Sequence, residues 1–566
     1  MNKLSMIGAG VALVAAGLVW PASAALSVWT QTRCERVLRE DAPGAETTAR
    51  LHAARNEWES FQILVRSDAP VSGVTLTAGV LTGPGGAVSG LRVDLYRQHQ
   101  LNLTEASCRN DAFRAGWYPD ALIPFAHPLT GKPLTEGRFK AVPFELPANE
   151  THGFWVDVYV PAEAKAGDYT GRFTVKAGDR TVDVPVTVTV WGFALPATMT
   201  LRSELGSPAR NLRSYYRKRA EAGKETAPAD WPAVDRQIST LLAENRVNAI
   251  PNQEPALAEQ PDGTFRVPPE QVAAFREFVD TYRLNAYPVP HPRTVVKDPE
   301  REKDRLHAWL RGWDQFAKEL NRPQVMLLIY LKDEPNDAEA YAYVRTWGKA
   351  IRAANSAVKV LVVEQTKPQE KEWGDLYGAV DVWCPLFPIH DPETAAQRHA
   401  LGEAVWTYTA LCQRSPPSPW WQIDYPLLNY RVPAWIAWRY RMSGILYWGG
   451  MSYWNQVEDP WTDPKTLDRR KGKKGFLYNG EGSLLYPGRG AGYDGVAASL
   501  RLKALRDGIE DYELLAILER AGQTVAADKI VRPLAGSWFQ WEKSPAAYDA
   551  ARAELSKLIL ALPGSK

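Results

Sequence analysis

Two adjacent carboxylates, Asp333 and Glu334, follow an apolar run at residues 327–331 and precede a proline. The run predicts a buried parallel strand, and α/β enzymes place their chemistry where such strands end. Glycoside cleavage needs a carboxylic acid that protonates the leaving oxygen and a second group that stabilises the positively charged sugar. A neighbouring pair of carboxylates can divide these tasks between them. The dipeptide therefore indicates a glycosidase-type site.

The two side chains can act together only if the backbone leaves the regular strand at this point. Neighbouring side chains of a regular strand point to opposite faces of the sheet. We expect the strand to end here and Pro335 to turn the chain, so that both carboxylates reach one site. A structural explanation is also open, in which Asp333, Asn336 and Asp337 cap a helix that begins near residue 338. The position after the fourth of eight predicted strands favours the catalytic interpretation.

A conventional retaining mechanism also needs a second carboxylate as nucleophile. The other acids near the predicted strand ends are Glu204, Glu364 and Asp424. Either Glu364 or Asp424 could serve as nucleophile or base on a sugar that has no acetamido group. Alternatively, an N-acetyl group of the substrate supplies the nucleophile through its own carbonyl oxygen.

Aromatic side chains at predicted strand ends are candidates for the walls of a sugar pocket, because a flat ring with a polar edge suits a sugar face. The chain has 22 Trp, 23 Tyr and 15 Phe, and core packing is the simpler explanation for each ring taken alone. Trp448 is the first choice for the site because two glycines follow it, and Glu481 is a further possible substrate contact. The aromatic substrate-binding candidates are Trp383, Trp406, Tyr408, Tyr447 and Trp448, and the acids Glu364 and Asp424 are substrate-binding candidates as well.

The elements that must position these residues change type near residue 198. Residues 25–197 show short alternating stretches broken by Gly, Pro and Asp, which predict an N-terminal antiparallel β-sandwich. In residues 198–566, apolar stretches alternate with amphipathic helices, which predicts a (β/α)8 TIM-type catalytic barrel with C-terminal helices. The predicted barrel strands are residues 201–205, 247–251, 285–289, 325–331, 358–364, 380–384, 404–409 and 444–448.

Residues 1–24 have the pattern of a cleavable signal peptide. Lys3 precedes an apolar run that ends at Trp20, and Ala22-Ser23-Ala24 forms a small-x-small cleavage site. We expect a secreted or periplasmic protein with no membrane anchor after cleavage; an uncleaved anchor is the alternative.

The balance of charged residues limits the class of binding partner. The 67 Lys and Arg residues balance 65 Asp and Glu residues, which argues against nucleic acid and favours a neutral partner such as a glycan. No ligand spacing predicts a metal, and no motif predicts a cofactor.

Pairing of the cysteines within each half and four free thiols are both open, and the sequence leaves the oligomeric state undetermined. The four cysteines are Cys34, Cys108, Cys384 and Cys412.

Five segments together resemble glycoside hydrolase family 123, over nearly the whole chain after residue 24. They are residues 54–62 (Ala-Arg-Asn-Glu-Trp-Glu-Ser-Phe-Gln), 116–120 (Gly-Trp-Tyr-Pro-Asp), Asp333-Glu334-Pro335, 444–448 (Gly-Ile-Leu-Tyr-Trp) and 505–513 (Leu-Arg-Asp-Gly-Ile-Glu-Asp-Tyr-Glu). That family includes β-N-acetylgalactosaminidases. The resemblance implies a β-sandwich followed by a (β/α)8 barrel, and a retaining, substrate-assisted mechanism through an oxazolinium ion. By the same resemblance, Asp333 would orient the acetamido group and Glu334 would be the general acid/base.

A third hypothesis is a glycan-binding surface protein built on an inactive barrel. The intact Asp333-Glu334 pair argues against it, because a binding protein has no need of an acid whose desolvation costs stability.

Overall fold

The computed structural model describes residues 25–86, 90–411, 418–470 and 475–563. The predicted signal peptide at residues 1–24 and the thiol of Cys412 lie outside the described residues. In the described part of the chain, no helix is long and apolar enough to cross a membrane.

The N-terminal part consists of two five-stranded sheets. One has the strand order β1-β3-β8-β5-β6 and the other β2-β10-β9-β4-β7. Neighbouring strands are antiparallel, except that β2 and β10 pair in parallel, which the sequence did not predict. The strands are β1 (Leu26–Thr32), β2 (Ala49–Arg55), β3 (Glu57–Ser67), β4 (Val71–Ala78), β5 (Arg92–Leu103), β6 (Gly116–Pro124), β7 (Phe144–Leu146), β8 (His152–Val160), β9 (Gly167–Ala177) and β10 (Arg180–Ala194).

The two faces of the first sheet have different chemistry because side chains alternate along each strand. Phe61 and Ile63 of β3 face the second sheet and pack with Val186 of β10 in an apolar core. On the opposite face lie buried acids, such as Asp157 of β8 and Asp120 of β6. These acids meet the C-terminal part of the chain.

The C-terminal part is built on two parallel sheets. β14 to β18 form one sheet in chain order, and β11, β20 and β19 form the other. Shorter strands form hairpin-like pairs around them. The strands are β11 (Arg202–Glu204), β12 (Ala258–Glu259), β13 (Phe265–Arg266), β14 (Ala286–Pro288), β15 (Met326–Asp333), β16 (Lys359–Val363), β17 (Val382–Trp383), β18 (Ala404–Val405), β19 (Thr407–Thr409), β20 (Gly444–Tyr447), β21 (Leu467–Asp468), β22 (Leu477–Tyr478), β23 (Leu485–Pro487) and β24 (Val496–Ala498).

The predicted strand at residues 247–251 is absent from these sheets, so the described strands do not form one closed ladder. Side-chain hydrogen bonds replace the ladder there. The Asn248 amide nitrogen Nδ2 donates to the Ser203 carbonyl and to Asn285 Oδ1, each at 2.8 Å. The Asn285 backbone N–H donates in turn to Asn248 Oδ1 at 3.1 Å. The finer prediction of a (β/α)8 barrel is therefore not confirmed, although an α/β region follows the β-rich part as expected.

Side chains from both parallel sheets share one apolar interior. It contains Leu328 of β15, Leu361 of β16 and Leu446 of β20, with Trp406 between β18 and β19. Gly444 leaves room for that indole, since a Cβ at this position would lie 2.2 Å from Trp406. The interior is thus filled by side chains and forms the base beneath the strand ends.

Helices cover the strands through apolar stripes. In α4 the buried residues include Leu306, Trp309, Leu310 and Trp313, at the spacing of three and four that brings side chains to one helix face. The helices are α1 (Pro208–Glu221), α2 (Trp231–Glu244), α3 (Pro269–Tyr282), α4 (Lys303–Leu320), α5 (Ala338–Arg352), α6 (Pro392–Ala400), α7 (Leu428–Arg439), α8 (Leu500–Arg520), α9 (Thr524–Leu534) and α10 (Pro545–Leu560).

Helix α8 joins the two parts of the chain through buried ion pairs. Arg501 pairs with Asp120 at 2.9 Å and Arg506 pairs with Asp157 at 3.1 Å, and all four side chains are fully buried. Arg506 and Glu510 stand four positions apart in α8, a spacing that usually predicts an ion pair within one helix. Instead both residues bond to groups outside it. Removing one partner of such a buried pair typically costs about 3–5 kcal/mol of stability.

The described cysteines are unpaired. Cys34, Cys108 and Cys384 are buried free thiols, so a disulfide between Cys34 and Cys108 does not form. Pairing within the N-terminal half is therefore wrong. Cys34 lies among the charges of Arg431 and Asp507, and its burial raises the pKa of the thiol.

Candidate active site

A β-bulge in β15 determines where Asp333 points. Tyr330 pairs with Leu361 of β16, but the next paired residue is Lys332, so Leu331 is the extra residue. Leu331 and Lys332 both face the surrounding helices, and the alternation of side chains is reset. Asp333 consequently returns to the interior side, where it accepts a hydrogen bond from the Tyr330 hydroxyl at 3.0 Å. Burial and the Asp333 charge raise the pKa of Tyr330, which keeps this hydroxyl a donor.

Glu334 reaches the same side through an unusual backbone conformation. Its φ angle is +38°, in the left-handed region that non-glycine residues rarely adopt. Strain of this kind clusters at functional sites, where the surrounding fold maintains it. The turn brings Glu334 Oε1 within 2.5 Å of the Tyr408 hydroxyl, which donates to it.

Helix capping does not account for the two carboxylates. Asp337 caps α5 by accepting a hydrogen bond from the Ala340 N–H at 2.7 Å. Asn336 Oδ1 accepts from the side chain of Gln369 at 2.9 Å. Asp333 and Glu334 are therefore left for another role, and both lie at the carboxyl end of β15.

A cavity of about 560 Å³ opens beside Glu334. This volume is within the range typical of small-ligand sites. Its walls come from the ends of β15, β16, β17 and β19, so the cavity is at the carboxyl ends of the parallel strands. Among the described residues, no cluster of His, Cys, Asp or Glu could hold a metal ion. The lining residues are Glu334, Asn336, Val363, Glu364, Gln365, Lys367, Pro368, Gln369, Glu370, Cys384, Leu386, Ile389 and Tyr408.

Glu364 shares the cavity with Glu334 but is held by other groups. Its Oε2 accepts from the Gln369 side chain and its Oε1 from the Gln365 backbone N–H, each at 2.6 Å. Burial, supported by the charge of Glu334, raises the pKa of Glu364 to about 7. At neutral pH this carboxyl is therefore protonated in a large fraction of molecules.

Strand alternation separates the five predicted aromatic contacts into two groups. Trp406 and Tyr408 face the shared interior, and Trp448 packs against the same cluster. Trp383 faces the helices, where its indole donates to Glu403 at 2.7 Å. Tyr447 also faces outward and packs on Trp421 with ring centroids 4.8 Å apart. Of the five, only Tyr408 lines the cavity beside Glu334, and its hydroxyl hydrogen-bonds to that carboxylate.

A buried carboxylate that the sequence indicated only weakly fixes the Trp448 ring. Glu481 is 1% exposed, and its Oε1 accepts from Trp448 Nε1 at 2.7 Å. The Tyr447 hydroxyl donates to the same oxygen at 3.3 Å. Gly482 has a φ of +68°, and a Cβ there would lie 3.0 Å from the indole. The sequence feature that could have indicated this contact is Gly480-Glu481-Gly482, because glycines on both sides of an acid allow the backbone to approach a ring closely.

The remaining predicted acids are placed differently from Glu364. Asp424 binds the connection between β5 and β6: it accepts from the Ser107 hydroxyl at 2.5 Å and from the Asn110 side chain at 3.0 Å. It does not line the cavity. Glu204 ends β11 and accepts from the Gly206 N–H at 3.2 Å, and burial raises its pKa to about 7.

Two family models match the chain. The model of the glycoside hydrolase 123 catalytic domain matches residues 295–518, and the model of the glycoside hydrolase 123 N-terminal domain matches residues 29–177. The chain belongs to glycoside hydrolase family 123. The resemblance noted in the sequence is thereby confirmed, and the protein is a glycoside hydrolase. The matched catalytic region contains Asp333, Glu334 and the whole described cavity wall.

The fold also matches a solved family 123 structure. A family 123 glycoside hydrolase from Clostridium perfringens aligns with a TM-score of 0.60 at 14% identity, over 94% of this chain and 96% of that chain. A family 2 glycosyl hydrolase from Bacteroides cellulosilyticus DSM 14838 aligns with a TM-score of 0.24 at 11% identity, over 70% of this chain and 44% of that chain. The second similarity is too low to establish a shared fold. No curated protein sequence matches this family 123 chain.

The titration of Glu364 predicts a pH dependence of stability for this family 123 hydrolase. The folded chain binds the Glu364 proton more tightly than the unfolded chain does, so stability is retained below the ordinary pKa of the carboxyl and is lost as pH rises through 7. Between pH 5 and pH 8, we expect the free energy of unfolding of wild type to fall by about 2 kcal/mol more than that of Glu364→Gln. Urea denaturation at both pH values measures the difference. Glu339→Gln, which removes an exposed acid of α5, is the control, and an equal loss in wild type and Glu364→Gln would contradict the prediction.

Proposed function

We propose that this family 123 hydrolase removes a terminal β-linked N-acetylhexosamine, in the first place N-acetylgalactosamine, from a glycan. The mechanism is retaining and substrate-assisted. The observation that carries the proposal is the direction of two adjacent carboxylates: a bulge and a left-handed residue turn Asp333 and Glu334 to the same side of the strand end. The relative from Clostridium perfringens hydrolyses glycolipid glycans, which supports a glycan as the substrate here.

Each carboxylate takes one role in the proposed reaction. The acetamido carbonyl oxygen attacks the anomeric carbon while Glu334 gives its proton to the leaving glycosidic oxygen. The resulting oxazolinium ion carries a positive charge, which the Asp333 carboxylate stabilises while it holds the acetamido N–H. Glu334 then takes a proton from water, which attacks the anomeric carbon and reopens the ring with net retention. The Tyr408 hydroxyl fixes the orientation of Glu334 throughout.

The surroundings of the other acids support substrate assistance. Asp424 is engaged by Ser107 and Asn110 away from the cavity. Glu364 lines the cavity, but its raised pKa of about 7 makes it a poor nucleophile at neutral pH. Its presence beside Glu334 nevertheless favours a second candidate function, in which Glu364 is the nucleophile on a sugar that has no acetamido group.

The proposal includes a finer architecture. The two parallel sheets and the segment at Asn248 would together form a (β/α)8 barrel, supported by the interior that both sheets share. Residues 25–197 would be the N-terminal β-sandwich and residues 198–566 the catalytic barrel with its C-terminal helices. Residues 1–24 would be a signal peptide that directs the protein to the periplasm or the exterior.

Hydrolysis of aryl β-glycosides tests the substrate class. The panel contains the N-acetylgalactosaminide, N-acetylglucosaminide, galactoside and glucoside, with and without a thiazoline mimic of the oxazolinium ion. We expect turnover of an N-acetylated member only, with inhibition by the thiazoline. Turnover of galactoside or glucoside without thiazoline inhibition would replace substrate assistance by the Glu364 mechanism.

Removal of the Tyr408 hydroxyl gives a smaller, separate test of the Glu334 environment. Tyr408→Phe leaves the ring in the interior but deletes the donor to Glu334. We expect kcat/KM on the best panel member to fall about tenfold, because a misoriented acid transfers its proton less efficiently. Tyr512→Phe, which deletes a buried hydroxyl bonded to the Met442 carbonyl, is the matched control. Equal kcat/KM in Tyr408→Phe and wild type would remove Tyr408 from the mechanism.

A further inference from the structure

The N-terminal sheet makes two connections to the loop that carries Glu481. The first runs through Asp120 of β6, which is fully buried and accepts from Arg501 Nε and Nη2 at 2.9 Å each. Arg501 uses its third nitrogen, Nη1, to donate to the Gly480 carbonyl at 2.8 Å. Gly480 precedes Glu481, and Glu481 binds the Trp448 indole. Three hydrogen-bonded contacts and the peptide bond between Gly480 and Glu481 therefore lead from β6 to the ring.

The second connection runs through the chain between β5 and β6. The Ser107 hydroxyl donates to Asp424 and accepts from the Asn479 backbone N–H at 2.9 Å. The Cys108 N–H donates to the Leu477 carbonyl at 2.8 Å. The Asn479 carbonyl accepts from the Ile423 N–H at 2.9 Å. Leu477 and Asn479, which shortly precede Glu481, are thus held by Cys108 and Ser107 of the N-terminal part.

The chemistry of the Arg501 guanidinium allows it to fix the position of Gly480 relative to Asp120. A guanidinium is planar and rigid, and it can bind a carboxylate with two nitrogens while the remaining nitrogen binds a carbonyl. Asp120, Arg501 and Gly480 are all buried, so the loss of either bond would leave a buried polar group without that partner. A Cβ on Gly480 would lie 2.6 Å from Ile423 and 3.0 Å from Arg501, so the backbone there is closely enclosed.

We propose that the N-terminal sheet is part of the working site and that Arg501 is the positioning residue that transmits the location of Asp120 through Glu481 to Trp448. This inference rests on the proposed function and adds one premise to it: Trp448, which packs against the apolar cluster that contains Tyr408, is an aromatic wall of the sugar site beyond the cavity that Glu334 lines. The sheet then contributes to substrate affinity, although none of its residues lines the cavity.

The chain offers a matched control for a mutational test. Arg506 and Asp157 form an equally buried pair between the same helix and the same sheet, and Arg506 makes no contact with the Glu481 loop. Arg501→Lys keeps the charge opposite Asp120 but cannot bind Asp120 and Gly480 together. Arg506→Lys disturbs the interface in the same way without reaching Glu481.

Kinetics on the best panel substrate then separate positioning from stability. Loss of folded protein lowers the apparent kcat and leaves KM unchanged, whereas displacement of a binding wall raises KM. We expect Arg501→Lys to raise KM about tenfold with kcat per folded enzyme within about threefold of wild type, and Arg506→Lys to leave both unchanged. Equal KM values for the two variants would overturn the proposal.

A double variant tests whether the effect passes through Trp448. Trp448→Phe keeps an aromatic ring but removes the N–H that binds Glu481. In that background Arg501→Lys should raise KM no further, since residues that act in series are not additive. A full further rise would show that Arg501 acts by another route and would overturn the proposal.

A structural measurement keeps the inference independent of the substrate. Amide hydrogen exchange over residues 477–484 should be about tenfold faster in Arg501→Lys than in wild type and unchanged in Arg506→Lys. If wild type hydrolyses no panel member, the proposed function fails, and this exchange comparison alone decides the inference. Unchanged exchange in Arg501→Lys would overturn it.

A milder pair of variants covers the case in which Arg501→Lys does not fold. Ser107→Ala deletes the hydroxyl that binds Asn479 and Asp424. Ser60→Ala deletes a similarly buried hydroxyl in β3, a strand of the sheet that contains β5 and β6, and this hydroxyl is bonded to Asp157 and Arg506. We expect KM and exchange over residues 477–484 to increase in Ser107→Ala only. The same behaviour in both serine variants would overturn the proposal.

Discussion

Glu334→Gln is expected to lower kcat about 10³-fold on substrates with a poor leaving group, such as a natural disaccharide, because general acid catalysis typically contributes 10²–10⁴-fold. An aryl glycoside whose phenol is strongly acidic needs no protonation to depart. On such a substrate the first step of Glu334→Gln should therefore be nearly as fast as in wild type. The amide has the shape of the carboxylate and can still accept the hydrogen bond from Tyr408, so the fold should be preserved.

Leaving-group dependence is the measurement that identifies the acid. Kinetics with a series of phenols of increasing acidity should give a steep dependence of kcat/KM in Glu334→Gln and a shallow one in wild type. Glu339→Gln, which removes an exposed acid of α5, provides the control. A uniform loss over the whole series would assign Glu334 to charge stabilisation instead of proton transfer.

Asp333→Asn is expected to lower kcat/KM about 10²-fold or more for every N-acetylated member, independent of the leaving group, because it removes the charge opposite the oxazolinium ion. Asparagine retains an acceptor for the Tyr330 hydroxyl, so the interior around β15 should stay intact. The variant should also bind the thiazoline mimic more weakly by a similar factor, since that inhibitor resembles the charged intermediate.

The contrast between the two variants is the sharpest test of the roles. Loss at Asp333 should be uniform across leaving groups, and loss at Glu334 should not. Undiminished thiazoline affinity in Asp333→Asn would remove this residue from the stabilisation of the intermediate. A steep leaving-group dependence in Asp333→Asn would exchange the two roles.

The helices and several strands follow directly from periodicity in the sequence. Apolar residues recur every three or four positions over residues 302–320, as in an amphipathic helix, and α4 extends from Lys303 to Leu320. The apolar run at residues 325–331 predicted β15, although the strand continues to Asp333. Such patterns are local, because the burial of one helix stripe or one strand shows in the neighbouring residues.

Side-chain direction was only partly predictable. Strand alternation alone could have separated Tyr447, the last residue of β20, from Trp448, which follows it in extended backbone, since neighbours along an extended chain face opposite sides. It would not have placed Asp333, because the bulge at Leu331 resets the alternation and depends on the pairing with β16. The left-handed φ of Glu334 likewise has no signal in a glutamate followed by proline.

The sequence by itself determined the order of the elements, the family resemblance and the two carboxylates at the end of β15. Only the tertiary structure decided which acids stand together, since Glu364 and Glu334 share a cavity whereas Asp424 binds Ser107 elsewhere. It also decided that Asp120 and Arg501, 381 positions apart in the chain, lie in direct contact next to the Glu481 loop. The physical reason is that hydrophobic periodicity reflects the burial of residues within one segment. Contacts between distant segments depend instead on how the whole chain packs and which buried charges it brings together.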